Sequence, residues 1–115
     1  MIQKSLLIGL ILLASVLMAC AQKADLTDPE YVAEAFWSAI QEGNAVQAIT
    51  FIHPDAREQL GKQLKTDMRN ELVPELPEEL VFEMFVKGDV AVAKIRNSKG
   101  VACDLVKDQG RWWVR

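Results

Sequence analysis

The feature that most constrains the fold is a change of hydrophobic period near Pro77. Before this point, apolar residues recur every three or four positions, which is helical spacing. After it, apolar residues alternate with other residues, which is typical of strands. A run of helices followed by a run of strands predicts an α+β fold, with the helices packed on one face of an antiparallel sheet. The first helical stripe consists of Val32, Ala33, Phe36, Ala39 and Ile40.

Two helix starts and one stop are visible in the first half of the chain. Asp28 followed by Pro29 fits an N-cap and first helical position, while Thr27 with Glu30 offers an alternative capping box. Gly43 predicts the helix end. Asn44 can then cap a short second helix that carries Ala45, Val46, Ala48, Ile49 and Ile52 and ends before Pro54.

A third helix is predicted from Asp55. Its apolar residues repeat every four positions and form a narrow ridge, so the helix is expected to cover an edge or an opening of the domain. Gly61 weakens the prediction that this helix is continuous. The ridge consists of Leu60, Leu64, Met68 and Leu72.

Four strands separated by short turns predict an antiparallel meander in the second half of the chain. The turns contain residues 88–89, 97–100 and 107–110. Period-two counting places Glu83 and Asp104 on the outer face of the sheet, and a one-residue error of register would reverse this. The inner positions are Leu80, Phe82, Met84, Val86, Val101, Cys103, Leu105, Trp112 and Val114.

The amino-terminal segment has the layout of a secretory signal: a positive charge at Lys4, an apolar run, and Leu17-Met18-Ala19-Cys20 at its end. This ending resembles the bacterial lipobox, which implies cleavage between Ala19 and Cys20 and lipidation of Cys20. The alternatives are a secretory signal without a lipid and an uncleaved transmembrane helix, although the run is short for spanning a bilayer. The resulting division is 1–19 signal peptide, 20–27 lipidated cysteine and short tether, and 28–115 a single α+β domain.

The lipobox resemblance also predicts the location. The expected site is the cell envelope, with the membrane as a partner through the lipid anchor. Ala21 favours the outer membrane facing the periplasm if the cell is Gram-negative. Loss of Lys4 with the signal changes the net charge from −3 to −4, and this mild acidity argues against nucleic acid as a partner.

Three segments together resemble the small lipoprotein members of the nuclear-transport-factor-two-like superfamily: residues 28–44, 87–92 and 105–114. The resemblance implies a cone-shaped α+β domain and dimerisation through the outer sheet face, so a homodimer or another envelope protein is the expected partner. A ligand pocket in such a domain would be lined by Phe36, Trp37, Phe82, Met84, Cys103 and Trp112. Packing of the first helix on the sheet is the simpler explanation of Phe36 and Trp37.

No catalytic constellation is visible. Enzymes with the cone fold typically place a carboxylate or histidine in the pocket, but no inner strand position carries one. His53, the single histidine, is expected to cap or pack a helix end. Cys103 is expected to be a small buried residue, with a reactive thiol as the alternative. No phosphate loop or metal-ligand motif occurs, so no cofactor is expected.

The predicted function is therefore a non-catalytic, lipid-anchored binding or assembly module. One alternative is a pocket for a small apolar ligand. The other is a small isomerase or hydrolase that uses His53, Glu83 or Asp104.

Overall fold

A computed structural model describes residues 24–115 and contains three helices and one four-stranded antiparallel sheet. The strands follow one another in the order β1-β2-β3-β4, so the predicted α+β architecture with a meander sheet is confirmed. Ala19 and Cys20, with the rest of the predicted signal, lie outside the described residues. The elements are α1 (Pro29–Gln41), α2 (Ala45–Ile49), α3 (Pro54–Arg69), β1 (Phe82–Lys87), β2 (Val90–Ile95), β3 (Ala102–Asp108) and β4 (Arg111–Val114).

Polar side chains begin the first two helices. The Asp28 carboxylate accepts a hydrogen bond from the Glu30 N–H at 3.0 Å, so Asp28 and not Thr27 is the N-cap of α1. Asn44 caps α2 in the same way, accepting from the Gln47 N–H at 3.0 Å. Both bonds satisfy backbone donors that a helix start leaves without an intrahelical partner.

The β3–β4 turn is tighter than the sequence suggested. Gln109 and Gly110 have φ values of 54° and 78°. Positive φ at both central residues is the geometry of a two-residue type I′ turn, which matches the twist of the strands that it joins. Strand β3 therefore continues to Asp108, where a loop was expected.

The second helix is shorter than predicted. It ends at Ile49, and the prediction that Ile52 belongs to it is wrong. Ile52 instead forms a parallel bridge with Val114 of β4. The Val114 N–H donates to the Phe51 carbonyl at 2.7 Å, and the Val114 carbonyl accepts from the His53 N–H at 2.7 Å. The N–H groups of Thr50, Phe51 and Ile52 still bond to carbonyls three residues earlier, so the helix ends in tight turns before the backbone meets β4.

The bonds to Val114 complete one edge of the sheet. Together with the Trp112 N–H, which donates to the Leu26 carbonyl at 2.9 Å, they occupy the backbone groups that β4 directs away from β3. The β4 edge is thus covered by the segments that precede α1 and α3.

Helix α1 packs across all four strands and forms one hydrophobic core with them. The predicted inner face is largely confirmed, since Phe82, Cys103 and Leu105 are buried. Val86 is the exception, with 54% of its surface exposed. It lies on the edge strand β1 and therefore has a neighbouring strand on one side only.

Helix α3 is continuous through Gly61 but contributes little to the core. Gly61 is its only buried residue, whereas Leu64 and Met68 are half-buried. The last member of the predicted ridge, Leu72, lies beyond the helix end and is 68% exposed. This packing is consistent with a helix that covers the rest of the domain.

Candidate functional site

A cavity of about 320 Å³ lies between α3, α1 and the sheet. Phe36 and Trp37 line it from α1, Leu60 and Leu64 from α3, and Cys103 from β3. The α3 residues that line it are exposed or half-buried, so they do not fill the space between this helix and the sheet. Three of the six residues predicted to form a ligand pocket, namely Phe36, Trp37 and Cys103, therefore meet at one place.

The lining also includes the polar residues Gln63, Asp67, Asp104 and Arg115, and two further polar groups, on Trp37 and Cys103, are buried. The Trp37 indole N–H is buried and makes no hydrogen bond within residues 24–115. Burial raises the pKa of the Cys103 thiol from an ordinary 9.0 to about 11, although the nearby Trp37 N–H favours the thiolate and partly opposes the rise. Cys103 is thus a protonated and inert thiol near neutral pH, as a buried strand cysteine should be.

The other three predicted pocket residues lie elsewhere. Phe82 and Trp112 are buried in the hydrophobic core, and Met84 is half-buried against it. None of the three lines the cavity. All six residues belong to the hydrophobic core or pack against it. They do not form one site.

A second concave surface lies on the outer face of the sheet and has a volume of about 560 Å³. Because directly opposite residues share a face, the register places Phe85, Val92, Asp104 and Arg115 in one outward row. Val90 is in the adjacent outward row and is 49% exposed. The strand period alone left this face to solvent or a partner, and only the family resemblance implied a dimer interface here. The signal that could have revealed an apolar outer face is the nearly continuous apolar run of β2, since a strand with one face in water alternates apolar with polar residues.

Both ring nitrogens of His53 make hydrogen bonds. Its Nδ1 accepts from the Asp55 N–H at 3.1 Å and so caps α3. The neutral ring therefore carries its proton on Nε2, which donates to the Asp108 carboxylate at 2.8 Å. The expected capping role is confirmed, and the ring ties the start of α3 to the β3–β4 hairpin.

Trp113 is the half-buried tryptophan of β4, since neighbouring side chains of a strand point to opposite faces and Trp112 is buried. The Arg111 guanidinium lies 3.4 Å from the centroid of its ring, and that of Arg57 lies 5.9 Å away. Burial lowers the pKa of Arg111, and the positive charge of Arg57 lowers it further. His53 packs edge-on against the same ring, with centroids 5.7 Å apart. This cluster stabilises the corner where α3 meets β4.

The residues considered for catalysis are not brought together. Glu83 and Asp104 are both exposed on the outer face, and strand β2 separates β1 from β3. His53 lies at the start of α3. Among residues 24–115, no group of three or more histidine, cysteine or acidic side chains is arranged to hold a metal ion.

Within the same described part of the chain, none of the helices has the length and apolar character needed to cross a membrane.

Comparison with known proteins adds no relative. No protein-family model matches the chain. The searches of curated proteins and of solved structures likewise find no match.

Proposed function

We propose that this protein is a bacterial envelope lipoprotein, anchored through Cys20, whose folded domain is a non-catalytic binding module. The binding surface in this proposal is the outer face of the sheet, and its partner is another envelope protein or a second copy of the chain. The observation that carries the proposal is the set of exposed apolar side chains on that face, above all Phe85 and Val90, which are 50% and 49% exposed. Apolar side chains that gather on an exposed face mark interaction sites more often than isolated ones do.

The short tether supports an activity at the membrane surface. Leu26 is bonded to β4 through its carbonyl, and it lies six positions after Cys20 in the chain. An extended segment of that length reaches roughly 20 Å. Two or more acyl chains hold a protein stably in a bilayer, so the domain would meet partners close to the membrane. Ala21 favours the outer membrane of a Gram-negative cell.

The charge pattern of the outer face suits a protein partner better than a nucleic acid. Lys87 and Arg115 lie beside the groove together with Asp104, so both signs occur around an apolar centre. Such a rim is typical of protein interfaces.

We also infer the cone-like, nuclear-transport-factor-two-like form of the α+β fold. Its support is the order of elements, with the helices preceding a meander, and the packing of α1 across all four strands. An experimental structure in which the sheet lies flat over α1 would contradict this inference.

The proposed binding role is tested with a photo-reactive amino acid at position 90 of the full, membrane-bound chain. The matched control is position 59, because Gln59 is exposed on α3. We expect a protein adduct from position 90 and none from position 59. Equal adducts from both positions, or none from either, would overturn the role.

Cys20→Ser tests the anchor separately. We expect it to abolish fatty-acid labelling and to leave unprocessed precursor, whereas unchanged labelling would contradict lipidation of Cys20.

A small apolar ligand in the cavity beneath α3 is the second candidate function. It is favoured by the Trp37 N–H, which could donate to one ligand oxygen beside the apolar side chains of Phe36, Leu60 and Leu64. Native mass spectrometry of the protein from cell extract should then show a retained small molecule. Leu64→Trp, which fills the cavity, should remove that molecule, whereas Leu72→Trp at an exposed position should retain it.

A further inference from the structure

The β1 edge of the sheet differs from the covered β4 edge. The Arg96 N–H donates to the Val81 carbonyl at 2.9 Å, and these residues continue the β1–β2 register. In an antiparallel pair, hydrogen-bonded residues alternate along each strand. Glu83, Phe85 and Lys87, which have the same parity as Val81, therefore bond to β2.

The intervening residues Phe82, Met84 and Val86 direct their backbone N–H and carbonyl groups away from the sheet. Within residues 24–115, no hydrogen bond from a turn, loop or side chain reaches the backbone of these three. The outer edge of strand β1 thus presents backbone N–H and carbonyl groups that no described residue bonds.

Exposed apolar residues concentrate at this open edge. Phe85 and Val86 are 50% and 54% exposed, and they project to opposite faces of β1. Natural sheets usually protect an edge with charges, proline or a bulge, because an open edge pairs readily with another strand. Here the charges, Glu83 and Lys87, lie four residues apart and have opposite signs.

We propose that β1 pairs with β1 of a second copy of this chain, antiparallel and edge to edge, with Phe85 opposite Phe85 of the second copy. The two sheets then form one continuous eight-stranded sheet around a two-fold axis. The inference rests on the proposed function in one respect: both copies are held on the same membrane.

Charge complementarity selects this register. Pairing centred on Phe85 places Glu83 opposite Lys87 of the second copy, and the two-fold axis repeats that pair. Pairing centred on Met84 places Glu83 opposite Phe85 instead, and pairing centred on Glu83 places two like charges opposite one another. Opposite charges directly across a strand pair are favourable and like charges are not.

The same register gives hydrogen-bond partners to the outward backbone groups of β1. It brings Met84 opposite Val86 of the second copy, and both have outward backbone groups, so their N–H and carbonyl groups bond reciprocally. It also covers the exposed side chain of Val86. The paired segment is only six residues long, so the anchors matter: two copies on one membrane meet at a high effective concentration.

Disulfide trapping of Phe85→Cys in the full, membrane-bound chain tests the pairing. Opposite residues in a non-hydrogen-bonded pair have Cα atoms about 4.5 Å apart, which lies within the disulfide range. We expect mild oxidation to give a covalent dimer. Lys94→Cys is the matched control, because Lys94 is exposed on the same face but lies one strand further from the edge and does not line the groove on that face. It should remain largely monomeric.

Oxidation of the wild-type chain, which contains the buried Cys103, shows how much dimer the native cysteines form by themselves. Fatty-acid labelling of the same samples reports the anchor independently. Labelled protein that forms no Phe85→Cys dimer, or that links to a different protein, overturns the proposed pairing. Unlabelled protein overturns the anchor, and the purified chain at high concentration then tests the pairing alone.

Charge exchange tests the register. In the Phe85→Cys background, Glu83→Lys should reduce the dimer yield at least about fourfold, because the two-fold axis makes each change act on two pairs. Adding Lys87→Glu should restore the yield. A double variant that stays as weak as the single one overturns the register.

Discussion

Gly61→Ala tests how α3 is held on the domain. Gly61 lies in the helix interior and is buried, and a Cβ added there would lie 3.5 Å from three side-chain atoms of Ile49. That is an ordinary van der Waals distance, so the methyl group fits without displacing its neighbour. The substitution should therefore stabilise the fold, although Gly61 is the residue that made a continuous helix doubtful from the sequence.

The expected gain is the sum of two effects. Alanine is favoured over glycine in a helix interior by about 1 kcal/mol, partly because it restricts the unfolded chain. Burial of the added methyl group against Ile49 contributes up to about 0.8 kcal/mol. We expect the free energy of unfolding to rise by about 1–2 kcal/mol, and each kcal/mol should raise Tm by roughly 4–8 °C.

Urea unfolding of the full chain, followed by tryptophan fluorescence, measures this change, provided that the m value is unaltered. Gly43→Ala is the matched control. Nothing lies within 4 Å of its Cβ, but its φ is +76°, so alanine should destabilise by roughly 1 kcal/mol through backbone strain alone. A loss of stability in Gly61→Ala would refute the packing of α3 on Ile49.

Three further predictions concern the core and the α3 corner. Burial raises the Cys103 pKa from 9.0 to about 11, so the unfolded chain releases this proton at a lower pH than the folded chain. The free energy of unfolding should therefore fall as pH rises between these values. In a pH series of urea midpoints, Cys103→Ala should remove this fall. His53→Ala should cost about 1 kcal/mol in urea unfolding by removing the α3 cap, whereas His53→Asn, a good N-cap, should recover most of it; equal losses would contradict capping. Leu105→Ala, at a position 2% exposed, should cost about 2–5 kcal/mol, and a loss below 1 kcal/mol would contradict its place in the core.

The local elements were predictable because their signals are short-range. Asp28 and Pro29 mark the start of α1, and Gly43 with Asn44 marks the boundary of the next helix. In the strands, alternation placed Cys103 and Leu105 inside, because a period of two leaves little freedom in which face is buried.

The candidate site was less predictable because it depends on which segments meet. The sequence grouped Phe82 and Trp112 with Trp37 because all are apolar and inward, yet only Trp37 lines the cavity beneath α3. Where the cavity lies depends on how completely α3 fills the space it covers, and side-chain period does not report that. The tie from His53 to Asp108 crosses 55 residues, so no local pattern indicates it.

The sequence by itself determined the class of fold, since hydrophobic period is a property of neighbouring residues, and the proposal of an anchor at Cys20 rests on the sequence motif alone. Only the tertiary structure decided which of the two sheet edges is covered. The segment that contains Ile52 was expected to be helical, but its backbone bonds to Val114 and covers the β4 edge. No segment does the same for β1 within residues 24–115. The physical reason is that an edge strand's hydrogen bonds are made by residues distant in sequence, so their presence depends on how the whole chain packs.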